Sequence, residues 1–313
     1  MGFVAILGAG ELGASIARAL ASRGRVAEVR LVDEAADVAA GKALDIQQAA
    51  PIERSSTRVI AAGDLTAAVG AAAVFLADSV SLSAKQAPAA AATSPPRSSS
   101  ERGWGPASAN EWSDETGLAL VSRLASIDRQ AVIVCAGGNQ HTVLAHGLHE
   151  LHLPRMRFFG SAPEAVVSAL RAMVAVEADV SPSAVSLTVL GRIPSQVVVL
   201  WSDATVAGRP LSRVLSPAQV ARIERRAAAI ETLGPYTLAA AAARLAEMLV
   251  GGSRRVVCCT VGLDGEFGLR RVLSAIPVLV APGGIVRLIA PPLDVREQVR
   301  LENAVSRPVA SDK

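Results

Sequence analysis

Apolar runs separated by helix-length segments organise the first part of the chain. Val4 to Leu7 is uninterrupted apolar sequence, as expected of a strand buried on both faces of a parallel sheet. The residues after it predict a helix and then a second strand that ends in the acid Asp33. Arg58 to Ile60 and Ala73 to Leu76 predict two further short strands. Helical spacing returns over Thr116 to Ile127, with Leu118, Val121, Leu124 and Ala125 on one face, and Ala131 to Cys135 predicts another buried strand. Strand and helix in alternation predict an α/β fold with a doubly wound parallel sheet. We place the first domain at residues 1–140 and an α+β domain at residues 141–313. Between them in character is the segment from Ser79 to Asp114, rich in Ala, Ser and Pro, with no sustained period and with Trp104 and Trp112 in it. Such composition predicts a long loop or disordered insertion, ordered only when it docks on the protein's own cleft or on another chain through those tryptophans.

The turn between the first strand and first helix is G-x-G-x-x-G, formed by Gly8, Gly10 and Gly13. Gly8 permits a sharp turn, Gly10 lets the backbone approach a pyrophosphate, and Gly13 lets the helix pack close to the sheet. The phosphates would sit on the helix N-terminus, where free N–H groups and the dipole favour negative charge. Asp33 falls twenty residues after Gly13, the place from which a carboxylate reaches the ribose hydroxyls and repels a 2′-phosphate. Gly8, Gly10, Glu11, Leu12, Gly13 and Asp33 are therefore the cofactor-binding candidates, and NAD is the expected cofactor.

Composition narrows the class further. A net charge of +3 spread without a basic block, and 3% aromatic residues, argue against nucleic-acid binding. The most apolar stretch, Val272 to Pro292, is interrupted by Pro277, Pro282, Gly283, Gly284 and Arg287, so it predicts strands and no membrane insertion. Cys135, Cys258 and Cys259 lie in apolar runs and read as buried, reduced thiols, with the cytoplasm as the expected location. The four histidines cluster at His141, His146, His149 and His152. Their successive three-residue steps drift round a helix and no cysteine or acid completes a tetrahedral set, so no metal site is expected. The Cys258–Cys259 pair alternates across a strand and reads as core.

Beyond the glycine turn, Gly41 to Pro51, Val189 to Leu211 with its L-W-S, and Val256 to Val280 carry motifs in an order that resembles the lactate and malate dehydrogenase family of NAD-dependent 2-hydroxy-acid oxidoreductases. The resemblance spans nearly the whole chain, apart from about Ser81 to Glu115. It implies a Rossmann-type sheet followed by an α+β domain, and a homo-oligomer, dimer or tetramer. That segment, residues 81–115, stands where the family carries its mobile lid and is also a candidate contact for a protein partner.

The resemblance also implies a site from which this chain departs. The family's histidine follows V-L-G-x, whereas Val189, Leu190, Gly191 and Arg192 here lead to Ile193, which carries no proton. The family's G-x-x-L-D-x-x-R falls on Gly160 to Val167, so Glu164 stands for the aspartate, as a remnant of the catalytic acid, and Val167 for the substrate-binding arginine. Arg171 lies one helical turn further, roughly 5 to 6 Å away, and reads as a solvated arginine. The family's loop asparagine falls at Gly137, with Asn139 as a shifted substitute and His141 as a relocated base. Arg97 and Arg102 in the lid region read as solvated charges. Two functions remain open. One is an NAD(H)-binding descendant, non-catalytic or remodelled, serving as a sensor or assembly subunit. The other is a working oxidoreductase on a CH–OH group with reassigned residues.

Overall fold

The computed structural model describes residues 2–78, 115–138, 140–194, 196–230 and 232–306. Arg97, Arg102, Trp104, Trp112 and Asn139, and with them the docking of the 81–115 segment up to residue 114, lie outside these residues. In chain order the first half contains β1 (Val4–Leu7), α1 (Glu11–Arg23), β2 (Glu28–Val32), α2 (Ala36–Glu53), β3 (Arg58–Ala62), β4 (Ala73–Leu76), α3 (Glu115–Ile127), β5 (Ile133–Cys135), α4 (His141–His149), β6 (Phe158–Gly160) and α5 (Ala162–Ala178). Then come β7 (Val185–Ser186), β8 (Val189–Arg192), β9 (Gln196–Val199), β10 (Thr205–Val206), β11 (Arg209–Pro210), α6 (Pro217–Ala228) and α7 (Pro235–Gly251). The chain closes with β12 (Arg255–Asp264), β13 (Arg270–Ala281), β14 (Gly284–Leu288) and α8 (Val295–Ser306).

The main sheet runs β3-β2-β1-β4-β5-β6-β12-β13-β8-β9, with β14 beside β13. Pairing is parallel from β3 to β6 and antiparallel from β12 onward. The order 3-2-1-4-5-6 is that of a Rossmann-type sheet, and its direction of winding reverses between β1 and β4, so the crevice at the ends of those two strands is where such folds hold ligands. A second, three-stranded sheet joins β11, β10 and β7.

Strand alternation sorts the two apolar layers. Val4 and Ile6 of β1 and Ala73 and Phe75 of β4 pack on the side of α1, α2, α5 and α7. Ala5, Leu7, Val74 and Leu76 pack on the opposite side, under Leu120, Val121 and Leu124 of α3 and Val143 and Leu144 of α4. Along α1, Leu12, Ile16, Ala17, Leu20 and Ala21 are buried at three- and four-residue spacing, which seats the helix on the sheet and aims its N-terminus at the crevice. The helix stops at Gly24, whose left-handed φ of 62° lets its N–H satisfy the carbonyls of Leu20 and Ala21.

The histidine cluster departs from the helical spacing read in the sequence. Helix α4 ends at His149, and His152 sits beyond it at a φ of 52°. His146 is half-buried and faces Glu150 at 3.0 Å. Cys135, Cys258 and Cys259 are buried free thiols, each pushed up in pKa by burial. Among the described residues no three His, Cys, Asp or Glu side chains converge as a metal would require, and no helix is long and apolar enough to cross a membrane.

Candidate functional site

The glycine turn forms at the end of β1 because nothing but glycine fits there. Gly8 has a φ of 95°, and a Cβ added to it would lie 2.3 Å from the carbonyl oxygen of Asp78. A Cβ on Gly13 would lie 1.8 Å from the carbonyl oxygen of Gly8, so the helix could not start at this distance from the turn. Asp33 stands at the end of β2, where its Oδ2 accepts from Ala9 N–H at 2.6 Å and its Oδ1 from Ala35 N–H at 2.9 Å. A small hollow of about 50 Å³ opens beside it, lined by Leu7, Val32, Glu34, Gly63, Leu65 and Arg123 among others. Lys42 of α2 crosses over and donates to the carbonyls of Ala9 and, at 3.0 Å, Gly10. Turn, hollow and acid thus lie together at the ends of β1 and β2.

The phosphate position is different. Asp78, two residues past the end of β4, places its carboxylate on the N-terminus of α1. Its Oδ2 accepts from Gly13 N–H at 2.6 Å and its Oδ1 from Leu12 N–H at 3.3 Å. The cradle thus has the shape and donors for an anion, and the anion in it belongs to the chain. Neither Asp78 nor Lys42 stands out in the sequence. A polar residue two positions after a buried strand is the signal that points to Asp78.

On the other side of the crevice the long-range fold brings His141 to Ile193. His141 begins α4, is 8% exposed, and its Nε2 has no hydrogen-bond partner among the described residues. Its pKa is pushed down to about 4, first by burial and then by the nearby Arg192 charge, while a backbone hydrogen bond to Ile193 opposes the drop. A cleft of about 420 Å³ opens there, lined by His141, His146, His149, Arg192, Arg271 and Leu273 among others. Gln140 fills the space over Gly137: a Cβ on Gly137 would lie 2.6 Å from its Nε2, which donates to the Leu76 carbonyl at 3.3 Å. Gln140, a residue that sequence reading passed over, thus places an amide beside the glycine.

A neutral His141 has a measurable consequence. The folded chain holds the uncharged ring, whereas the unfolded chain takes up a proton near the ordinary value of 6.5, so stability is lost as pH falls from about 6.5 toward 4. The loss from this group reaches at most about 3 kcal/mol. Urea unfolding at pH 7 and pH 4.5 is expected to show a smaller acid loss in His141→Gln than in the parent, and equal losses would show that His141 titrates normally.

Glu164 is bonded to other groups. At the start of α5, it is 8% exposed, accepts from Cys258 N–H at 3.1 Å and faces Arg244 at 3.4 Å, so it ties α5 to β12. No hydrogen bond joins it to His141 among the described residues. Val167, one turn later, is 3% exposed and packs in the main core, and Ile193 is 2% exposed. Arg171 departs from the expected solvated arginine: it is half-buried, and its Nε is shielded from water with no hydrogen-bond partner among the described residues.

A Rossmann-order sheet, a glycine turn at its switch point and an acid at the end of β2 define a dinucleotide-binding protein of the dehydrogenase kind. Residues 3–83 match the family model for the lactate/malate dehydrogenase NAD binding domain, and residues 167–307 match that for the lactate/malate dehydrogenase alpha/beta C-terminal domain. The chain belongs to the lactate/malate dehydrogenase family, whose cofactor is NAD. A malate dehydrogenase from Dehalococcoides mccartyi strain CBDB1 is 29% identical over 308 residues, covering 96% of this chain and 94% of the relative. One from Roseiflexus sp. strain RS-1 is 26% identical over 322 residues, covering 99% and 98%. Among solved structures, malate dehydrogenase from Salinibacter ruber superposes with a TM-score of 0.80 at 22% identity, covering 96% of this chain and 93% of that one. The Aeropyrum pernix enzyme gives 0.80 at 19% identity, covering 96% and 95%. These structures share its fold.

Proposed function

We propose that this chain is an NAD(H)-binding member of the family with a remodelled substrate site, one that does not turn over small 2-hydroxy acids and serves as a sensor or assembly subunit. In this reading residues 1–140 form the cofactor unit, with Gly8, Gly10, Glu11, Leu12, Gly13 and Asp33 around the dinucleotide, and residues 141–313 the substrate-type unit. NAD supplies hydride exchange; the protein must supply proton transfer and a grip on the substrate. The observation that carries the reading is the environment of the one imidazole near the family's base position. His141 lies beside an arginine, without a carboxylate partner among the described residues, so it is uncharged at neutral pH and cannot hand a proton to a developing alkoxide. Ile193 and Val167, at the family's base and carboxylate-gripping positions, are buried in the core and offer neither a proton nor a donor.

A second reading is an active oxidoreductase, supported by the relatives' names and by the placement of His141 itself. A neutral imidazole can accept a proton, so alcohol oxidation would be the direction it serves, on a substrate without a carboxylate. Purified protein tested by fluorescence for NADH binding, then for turnover on malate, lactate and uncharged secondary alcohols, separates the two. Binding without turnover on any of them is the expected result. Turnover confined to uncharged alcohols, and lost in His141→Gln, would establish the second reading. Val38, Leu44 and Ile52, exposed within about a third of a turn on α2, support a homo-oligomer.

A further inference from the structure

We propose that Asp78 is a resident anion in the phosphate cradle, so that a dinucleotide binds this chain only after the Asp78 carboxylate has been displaced or neutralised. The inference rests on the reading of the glycine turn as an NAD(H) site. A pyrophosphate on the N-terminus of α1 needs the backbone N–H groups that open the helix. Two of them, Leu12 N–H and Gly13 N–H, already donate to Asp78. The carboxylate is also where the ligand must go: a Cβ on Gly10 would lie 2.4 Å from Asp78 Cγ, and the Asp78 side chain is 8% exposed. The open space that glycines leave for a pyrophosphate is therefore filled from within the chain.

The contact is built by the sheet. Because β4 pairs in parallel with β1, from Val4 opposite Ala73 to Leu7 opposite Leu76, the residues just past β4 run alongside Gly8 to Gly10. The Asp78 backbone closes over Gly8, and the side chain turns in toward the helix. Among the described residues, the charged groups acting on Asp78 are Lys42 from α2, which favours its ionised form, and Asp33 from the end of β2, which disfavours it. Burial is the largest influence and raises its pKa above the ordinary aspartate value. Protonation of Asp78 removes the competing charge, and the raised pKa brings it at a higher pH than for an ordinary aspartate.

The structure thus describes a self-capped helix that a dinucleotide must uncap. Asp78→Asn keeps the shape and an acceptor for the helix but deletes the charge; Asp78→Ala empties the cradle. Titration calorimetry of NAD⁺ into the full-length protein at pH 8.0 and pH 5.5 tests the idea, with thermal unfolding of each variant alone to show that it is folded. At pH 8.0 both variants are expected to bind NAD⁺ about 10- to 100-fold more tightly than the parent, the range of one hydrogen bond to a charged group. Any gain in affinity on lowering the pH is expected to be larger in the parent than in the variants. Equal affinities in parent and Asp78→Asn, with the same pH profile, would overturn the role of Asp78 and leave the NAD(H) reading standing. If folded Asp78→Ala binds no NAD⁺ at millimolar concentration, Asp78 is not what limits binding, and the cofactor reading fails with it.

Discussion

Oxaloacetate and pyruvate, mixed with NADH and the purified protein at neutral pH, are expected to be reduced at less than about 0.1 s⁻¹. An ordinary enzyme turns over at about 10 s⁻¹. A positioned acid or base contributes about 10²- to 10⁴-fold, so losing that group alone brings the rate to the stated bound. The family's base position is Ile193, buried among apolar side chains, and the carboxylate that would orient an imidazole is instead bonded to Cys258 N–H. His141 does not make up the loss, because reduction needs a protonated ring and this one is held neutral down to about pH 4. For the same reason Ile193→His by itself is expected to restore little: the new ring would lie next to Arg192, with Glu164 bonded elsewhere. A stopped-assay rate near 10 s⁻¹ on either substrate would show that the positions of Ile193 and Val167 do not mark lost chemistry.

How much of this was legible in the chain depends on the range of the interaction. The glycine turn, β1, β4, β5 and the acid at Asp33 are local: apolar runs and a short motif specify them, and the structure places them where the spacing predicts. The C-terminal strands β13 and β14 were legible as well, since proline and glycine punctuate the run. The contents of the cradle were not. Asp78 meets Gly13 only because β4 lies beside β1, a pairing between segments some 65 residues apart that no local pattern encodes. His141 reaches Ile193 in the same way, through the packing of α4 against the main sheet. Gln140 belongs to no motif, and its amide meets the Leu76 carbonyl only because β5 lies beside β4. Arg171 shows the opposite limit: helical spacing placed it on the face of Glu164, but its depth follows from how closely α5 sits on β12.

Restoring the family arginine with Val167→Arg is expected to destabilise the protein by about 3–5 kcal/mol, the range measured when a buried charge is left without a partner. Val167 is 3% exposed on the face of α5 that carries Glu164 one turn before it and buried Leu170 and Val174 after it. An arginine there must bury a guanidinium or push α5 away from the sheet. The one acid on that face, Glu164, already accepts from Cys258 N–H and faces Arg244, so a new guanidinium gains its carboxylate only by stripping those contacts. Bulk alone is a smaller matter: Val167→Leu is expected to lose no more than the roughly 1–3 kcal/mol of an overpacked core. Denaturant unfolding of parent, Val167→Leu and Val167→Arg, with equal slopes, measures the difference. If Val167→Arg loses less than about 1 kcal/mol, residue 167 faces the cleft and its side chain reaches water. The grip on a substrate carboxylate would then be one substitution away. If the loss is as large as expected, the core of α5 has been rebuilt around valine, and the departure from the family's chemistry is part of how this chain folds.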